Sequence, residues 1–344
     1  MLNIELLRKI CNTPGASGFE EAIRSLIISE ISNDVDELKV DPLGNIIAIK
    51  KGNSRQKLLL TAHMDEIGFM VQHIDDEGFI RFIPLGGFDP KTLSAQRVII
   101  HGKKDIIGVM GSKPIHIMSQ DERNKATQLK DFFIDTGLSK EEVLEQISIG
   151  DPITRDRDLI QMGKCINAKS LDNRISVYIL IELIKKVKSS DLDLYFAFTV
   201  QEELGLRGAK TAAFSIGADY AINVDTTIAF DVPGAQAHEN ITKLGHGVAI
   251  KIFDSSVMPD SRMIKFLKDC AKDIKWQAEI LTGGGTDTAS VQLAGYGAIS
   301  GAISIPTRNI HQVIEMVHEE DCIAAINILE KAIDNIKLFN LNYK

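Results

Sequence analysis

Six residues of this chain have side chains suited to metal-assisted hydrolysis: His63, Asp172, Glu202, Glu203, Asp225 and His311. Each lies at the end of an apolar run or at the entry to a helix. Two imidazoles and three carboxylates are the ligands expected for a pair of divalent, zinc-like ions. The charges also suit such a pair. Two dications bring four positive charges, three carboxylates bring three negative ones, and a bridging hydroxide supplies the last. Without metal, three clustered carboxylates would repel one another and become protonated or disordered. Asp172 is the best placed to bridge both ions, because it sits at a helix entry between the two halves of the set. Each ion then needs one histidine and one further carboxylate. A water held between two Lewis acids has a strongly lowered pKa. Glu202, left without a metal, could take its proton and pass it to a departing amine.

The elements that must position these residues can be read from the apolar pattern. Residues 192–200 form a run rich in β-branched and aromatic side chains, expected to be a buried strand. It leads into Gln201-Glu202-Glu203-Leu204-Gly205-Leu206-Arg207-Gly208. In open α/β sheets ligands gather at the carboxyl ends of strands, where this glutamate pair falls; its plain reading is a solvated helix start. A second strand over 57–61 runs into Ala62-His63-Met64-Asp65-Glu66. A lone histidine there is often structural, but Asp65 supplies the carboxylate that a metal-bound imidazole needs to fix its tautomer. Asp172 precedes a helix over 175–187 that is apolar on nearly all sides, and a simple N-cap would also explain it. The strand over 219–225 ends in Asp225, and that over 297–305 leads to Pro306-Thr307-Arg308-Asn309-Ile310-His311. Gly283-Gly284-Gly285-Thr286-Asp287 lacks the lysine of a phosphate cradle and predicts a tight backbone loop beside a pocket. Gly284, Asp287 and Arg308 are therefore candidates for a substrate-binding wall. Loop geometry and a surface ion pair are their plain alternatives.

The rest of the chain frames this set. A helix over 2–11 is stopped by Asn12-Thr13-Pro14-Gly15, and Ser17-Gly18-Phe19-Glu20 has the spacing of a capping box opening a helix to about residue 31. A hairpin follows, turning at Asp41-Pro42-Leu43-Gly44. Over 68–163 the texture becomes short alternating segments with Gly, Asp and Pro turns, which predicts a small β domain or barrel. Its histidines, His73, His101 and His116, have no metal spacing and are read as structural. The organisation expected is an α/β domain with a mixed sheet flanked by helices. It is formed discontinuously by 1–67 and 164–344, with a small β-barrel-like domain inserted at 68–163 to control access or assembly.

Composition limits the partners. The chain has 344 residues and a net charge of −8, with no block of like charge that would bind nucleic acid. Charges throughout the first thirty residues argue against a secretory signal, and no apolar run approaches a membrane span. Four scattered cysteines without CxxC spacing fit a reducing compartment. A soluble cytoplasmic protein is expected.

Taken together, five segments resemble the M42 family of metallo-aminopeptidases, the family of the glutamyl and tetrahedral (TET) aminopeptidases. They are His63-Met64-Asp65-Glu66-Ile67-Gly68, Ser170-Leu171-Asp172-Asn173-Arg174, Gln201 to Gly208 as written above, Asn223-Val224-Asp225, and Ile305-Pro306-Thr307-Arg308-Asn309-Ile310-His311. They stand in family order, and the resemblance runs nearly end to end from Pro14-Gly15-Ala16-Ser17-Gly18. It implies two divalent metal ions, zinc first with cobalt or manganese as alternatives. His63 and Asp225 would bind one ion and His311 and Glu203 the other, with Asp172 bridging. Glu202 would be the general base, and Asp65 would orient His63. The reaction implied is removal of amino-terminal residues from peptides, in a homo-oligomer that in many members is a dodecamer. Asn173 departs from the Asp-Asp-Arg pattern of many dinuclear peptidases of the wider clan, at a position outside the ligand set. The alternatives are another dinuclear amidohydrolase of that clan, such as a deacylase or carboxypeptidase, and, from another class, a non-catalytic assembly protein. The histidine-containing ligand set argues against a glycosidase, which needs two carboxylic acids across a sugar.

Overall fold

The computed structural model describes residues 2–338. Its larger part is built on an eight-stranded mixed sheet, whose order from one edge is Glu37–Val40, Ile46–Lys50, Asp193–Thr199, Lys57–His63, Tyr220–Ile228, Ile299–Thr307, Val248–Phe253 and Trp276–Ile280. The four central strands, from Asp193–Thr199 to Ile299–Thr307, are mutually parallel. They are buried on both faces and read as near-continuous apolar runs, as parallel strands covered by helices must. One face packs on helices Ile4–Asn12, Glu21–Ile31, Leu171–Lys186, Ser261–Cys270 and Glu319–Asn335, forming the main core. The other face is covered by Arg207–Ile216 and Thr288–Gln292, through Ala209, Ala212, Ala213 and Val291. Helix Leu171–Lys186 lies at the centre, and Ile175 to Ile181 are buried without a break.

Six strands close into a barrel in the order Gly68–Ile74, Ile80–Leu85, Phe132–Asp135, Asp105–Ser112, Arg97–His101 and Pro152–Arg155. Strand Asp105–Ser112 alternates strictly, with Ile106 and Met110 inside and Ile107 and Val109 outside. The barrel has its own core around Phe69, Val71, Ile100, Phe132 and Ile153. Strand Ile160–Met162 does not join it. That strand pairs with Cys165–Ala168, which pairs in turn with Glu315–His318. The final helix ends at Asn335 and continues as a short 3-10 turn, Ile336–Leu338. Among the described residues no helix is long and apolar enough to cross a membrane.

A buried ionic cluster holds the chain where it crosses between the two parts. Glu66, immediately before the barrel, accepts from Lys169 Nζ at 2.6 Å and from the Ser170 hydroxyl, and Arg174 Nη2 stands 3.6 Å away. Arg174 also donates to the carbonyls of Ile10 (2.6 Å) and Thr13 (2.9 Å). Gly15 is required there, because a Cβ would lie 2.6 Å from Arg174 Nη2 and 2.7 Å from Ile23. Burial alone would raise the Glu66 pKa, but Lys169 and Arg174 outweigh it and hold the carboxyl at about 2. Replacing Glu66 by Gln leaves two buried cations without their counter-charge, which costs about 3 to 5 kcal/mol. Chemical denaturation of the two proteins at neutral pH checks this. The depressed pKa places the Glu66 contribution above the ordinary carboxylate range. The difference between the proteins should therefore shrink as pH falls from 4.5 towards 2.

Candidate metal centre

The parallel strands bring the six residues to one edge of the sheet. Thr199 stands opposite His63 in register, and Asn223 stands opposite Thr61. Asp225, two residues past Asn223, therefore emerges on the same face as His63. Thr61 Oγ1 donates to Asn223 Oδ1 at 2.6 Å and fixes that alignment. His311 follows strand Ile299–Thr307 with φ at +63°, a backbone that aims its ring back across the sheet edge. Asp172 is not a helix cap. It and Asn173 are non-helical, the peptide between them is cis, and Ser170 occupies the N-cap position. The Asp172 carboxylate turns instead to the imidazoles.

The distances assign two half-sites. His63 Nε2 is 3.3 Å from Asp172 Oδ1 and 3.6 Å from Asp225 Oδ1. His311 Nε2 is 3.4 Å from Asp172 Oδ2 and 3.4 Å from Glu203 Oε1. Asp172 thus presents one oxygen to each histidine. Donors about 2.05 Å from a common tetrahedral ion lie about 3.3 Å apart, so both half-sites have the spacing a zinc-like ion requires. The tautomers fit as well. His63 Nδ1 faces the Asp65 carbonyl at 3.2 Å and the Asp65 carboxylate at 3.4 Å, and His311 Nδ1 donates to the Gly87 carbonyl at 3.0 Å. With a cation bound, each ring would keep its proton on Nδ1 and turn the Nε2 lone pair inward.

The carboxylates divide by how they are held. Asp65 is fully buried and accepts from Ser17 Oγ (2.6 Å), Glu202 N (3.0 Å) and Glu203 N (3.2 Å). It orients His63 and also fixes the backbone of both glutamates. Burial would raise its pKa, but His63, Ser17 and the Glu202 amide outweigh that and lower it. Glu202 goes the other way. Burial, with Asp225, Glu203 and Asp287 nearby, lifts its pKa well above the usual range despite His63. Glu203 is raised too, by burial and Asp172 against the pull of His311. Both imidazoles resist burial and are raised by the surrounding carboxylates, His311 to about 11.

A cavity of about 670 Å³ opens over this edge, lined by His63, Asp172, Glu202, Glu203, Asp225 and His311. Ile228, Lys251, Leu281 and residues 283–286 also line it. Gly284 lies in that wall. Asp287 does not: it is buried behind the glutamates, accepts from Thr199 Oγ1 at 2.5 Å, and is raised by burial to about 7. Arg308 is engaged by Asp231 in a two-pronged ion pair at 2.7 and 2.6 Å and does not line the cavity. His101 sits apart, between Asp105 and Thr154.

The supporting roles of four residues escaped the sequence reading. Ser17 and Glu20 have the spacing of a capping box, but Ser17 is taken by Asp65, and Glu20 accepts from the Gly18 and Gln201 amides at 2.7 and 3.2 Å. Glu315 Oε2 accepts from the Asp172 amide at 2.9 Å, and nothing in its local sequence signals this. Gly87 reaches His311 from the barrel; the Gly86-Gly87 pair was the available hint, since a Cβ on Gly87 would meet the His311 ring at 3.4 Å.

Comparison with known proteins gives consistent results. The profile of the M42 glutamyl aminopeptidase family matches residues 44–328. The lysyl aminopeptidase of Pyrococcus furiosus is 32% identical, over 98% of this chain and 98% of its own length. An aminopeptidase structure from the archaeon Desulfurococcus kamchatkensis is 38% identical with a TM-score of 0.93, covering 96% of this chain and 94% of that one. The Pyrococcus horikoshii TET1 peptidase is 34% identical with a TM-score of 0.87, covering 96% and 99%.

Because Asp172 faces both histidines, metal binding at this edge should be collective. Asp172→Ala should lose both ions, while Asp225→Ala should chiefly lose the one beside His63; metal analysis after dialysis separates the two. Because both imidazoles hold protons when no cation is present, loading must expel them. Affinity should fall as pH falls, by about ten-fold per pH unit for each proton displaced, as competition with a chelator would measure.

Proposed function

The chain belongs to the M42 peptidase family and is an aminopeptidase, a hydrolase of peptides; from that premise we propose that it works through two divalent ions with Glu202 as the general base. The observation that carries this reading is the pair of half-sites sharing Asp172. His63 and Asp225 would hold one ion and His311 and Glu203 the other, with zinc favoured by the nitrogen and oxygen donors and the tetrahedral spacing, and cobalt or manganese as alternatives. Bound there, the ions would polarise the scissile carbonyl and lower the pKa of a shared water.

The protein's own groups account for the proton. Glu202 lines the cavity within 4.8 Å of His63 and Glu203 donor atoms, while its backbone is fixed through Asp65. Burial and the neighbouring carboxylates raise its pKa, which makes it a stronger acceptor for a proton from water, and that proton would then pass to the departing amine. The free amino group of a peptide would complete the coordination of one ion, which favours exopeptidase action. An acetylated terminus lacks the amine lone pair that this would need.

We extend the proposal to assembly and location. Ile107, Val109, Ile115 and Ile117 are all about half or more exposed on or beside the barrel, a larger apolar group than one chain needs. The P. horikoshii relative can assemble into a tetrahedron or an octahedral shell. We assign the inserted barrel, placed by the sequence at 68–163, to self-association into a closed homo-oligomer such as a dodecamer, which would admit peptides and exclude folded proteins. A reducing, cytoplasmic setting suits the four cysteines, all of them free. Light scattering should report the assembly, and Ile115→Asp with Ile117→Asp should shrink it.

The decisive assay uses aminoacyl anilides with free and acetylated amino termini on metal-loaded protein. Free amines alone should be cleaved, and Glu202→Gln should lower kcat by about 10³-fold with both ions retained. Cleavage of acetylated substrates alone would make the protein a deacylase. An undiminished Glu202→Gln would remove that residue from the role of base.

A further inference from the structure

A buried arginine of the barrel has a charge that its own surroundings do not explain. Arg155 ends the barrel strand Pro152–Arg155 and is only 2% exposed. None of its Nε, Nη1 and Nη2 atoms has a hydrogen-bond partner among the described residues. A guanidinium cannot give up its proton, so once buried it must be met by a counter-charge or an aromatic face. The face is Phe88, whose ring centroid lies 5.8 Å from the guanidinium carbon and 4.3 Å from the stacked ring of Phe69. The counter-charge is Glu315, also buried, with Oε1 likewise unpartnered. Burial raises the Glu315 pKa, and the charge of Arg155 is the first influence that opposes it. The other carboxylate of this neighbourhood, Glu66, is already matched by Lys169 and Arg174. Glu315 is therefore the group left to balance Arg155.

Two lines lead from Arg155 to the metal edge. Along the first, Glu315 Oε2 accepts from the Asp172 amide at 2.9 Å, and Asp172 presents an oxygen to each histidine. The backbone of Glu315 is set by its register with Ala168 and by Asn167 Nδ2, which donates to its carbonyl at 2.9 Å. Along the second, Phe88 follows Gly87, whose carbonyl accepts from His311 Nδ1 at 3.0 Å. Both lines end on the half-site of His311, Asp172 and Glu203. The other half-site has supports of its own. His63 is faced by Asp65, and Asp225 Oδ2 accepts from Asn223 Nδ2 at 3.3 Å.

We propose that Arg155 is a positioning residue for the half-site around His311, holding Asp172 through Glu315 and His311 through Phe88 and Gly87. The proposal rests on the two-ion reading of this edge. Away from solvent, the attraction between Arg155 and Glu315 is little screened, and so is the pull of the guanidinium on the Phe88 ring. Without Arg155, Glu315 is left as a buried carboxylate lacking its counter-charge, and it must shift or relax. The Asp172 amide then loses a fixed acceptor, and the Gly87 segment loses the group that lies over its neighbour. The ion beside His311 should suffer from both changes. The ion beside His63 feels only the first, through the oxygen of Asp172 that it shares. A contribution to stability alone would weaken both ions alike, so the asymmetry is what marks a positioning role.

Competition for zinc between the full chain and a chelator reads both ions without turnover. Wild type should bind two. Arg155→Met should weaken one ion about ten- to hundred-fold and leave the other within about three-fold of wild type. Arg155→Lys keeps the charge without the planar fork and should fall between the two. Two backgrounds identify the weakened ion. With Asp225→Ala, which spares the ion beside His311, adding Arg155→Met should give the large effect. With Glu203→Ala, which spares the ion beside His63, it should give the small one. If Arg155→Met fails to fold, the double variant Arg155→Met with Glu315→Met removes both buried charges together and should show the same asymmetry. Two ions in wild type with equal weakening of both in the variants, or with no weakening of either, would overturn the proposal alone. A wild type that binds fewer than two ions would overturn the two-ion reading and the proposal with it.

Discussion

Crowding of carboxylates at one edge of a parallel sheet is the constraint on which this structure depends. Asp65, Glu202, Glu203 and Asp225 stand at or near the ends of the central strands, and Asp172 and Asp287 join them from helix entries. Buried like charges cost several kcal/mol each unless donors or counter-ions meet them. The fold meets them in different ways. Asp65 receives two amides, a hydroxyl and an imidazole, so it stays charged without a metal. Glu66, one residue on, is neutralised by Lys169 and Arg174. Asp172 and Glu203 are met by imidazoles at 3.3 to 3.4 Å, a separation suited to an intervening cation. How a carboxylate is satisfied thus separates scaffold from machinery.

The scaffold explains why the machinery spans the whole chain. His63, Asp225 and His311 each come from a different parallel strand, and Asp172 comes from the entry of the central buried helix. Bringing them within ligand distance requires those strands to be in register. That register is set by the apolar core and by such bonds as Thr61 to Asn223. The barrel adds what the sheet cannot. Its Gly87 carbonyl fixes the His311 ring, and Gly86, at φ +101°, packs against Ile67 and Glu203. The barrel, which begins just after His63, is therefore in contact with the site histidine farthest from it in sequence.

The strand-end residues were legible in the sequence because strands announce themselves by apolar runs, and chemistry at their ends stands out against those runs. Ligand pairing was harder to read: nothing in the spacing says that His63 meets Asp225 rather than Glu203. The texture change near residue 68 revealed the barrel, but not that Ile160–Met162 pairs back onto the larger part, since a three-residue strand carries no periodicity. Supporting residues were the least visible. Ser17 and Glu20 match a local capping pattern, and only tertiary structure diverts them to Asp65 and Gln201. Lys251 sits in an apolar strand where a charge looks like an interruption, until its partners Glu279 and Asp254 are seen beside it.

The adjacent glutamates show how the backbone divides labour between identical side chains. Gln201 has φ +53° and Leu206 +58°, so Glu202 and Glu203 sit in a tight turn bounded by left-handed residues, with Gly205 at φ +108° inside it. Both amides of the pair point to the Asp65 carboxylate, which locks the turn from behind. With the amides fixed to one side, successive side chains must leave in different directions. Glu203 is thereby delivered to His311, and Glu202 to the cavity. A longer side chain at position 65 would displace both at once. The residue that faces His63 Nδ1 is thus also the one that holds Glu202 and Glu203 apart, although they are neighbours in the chain.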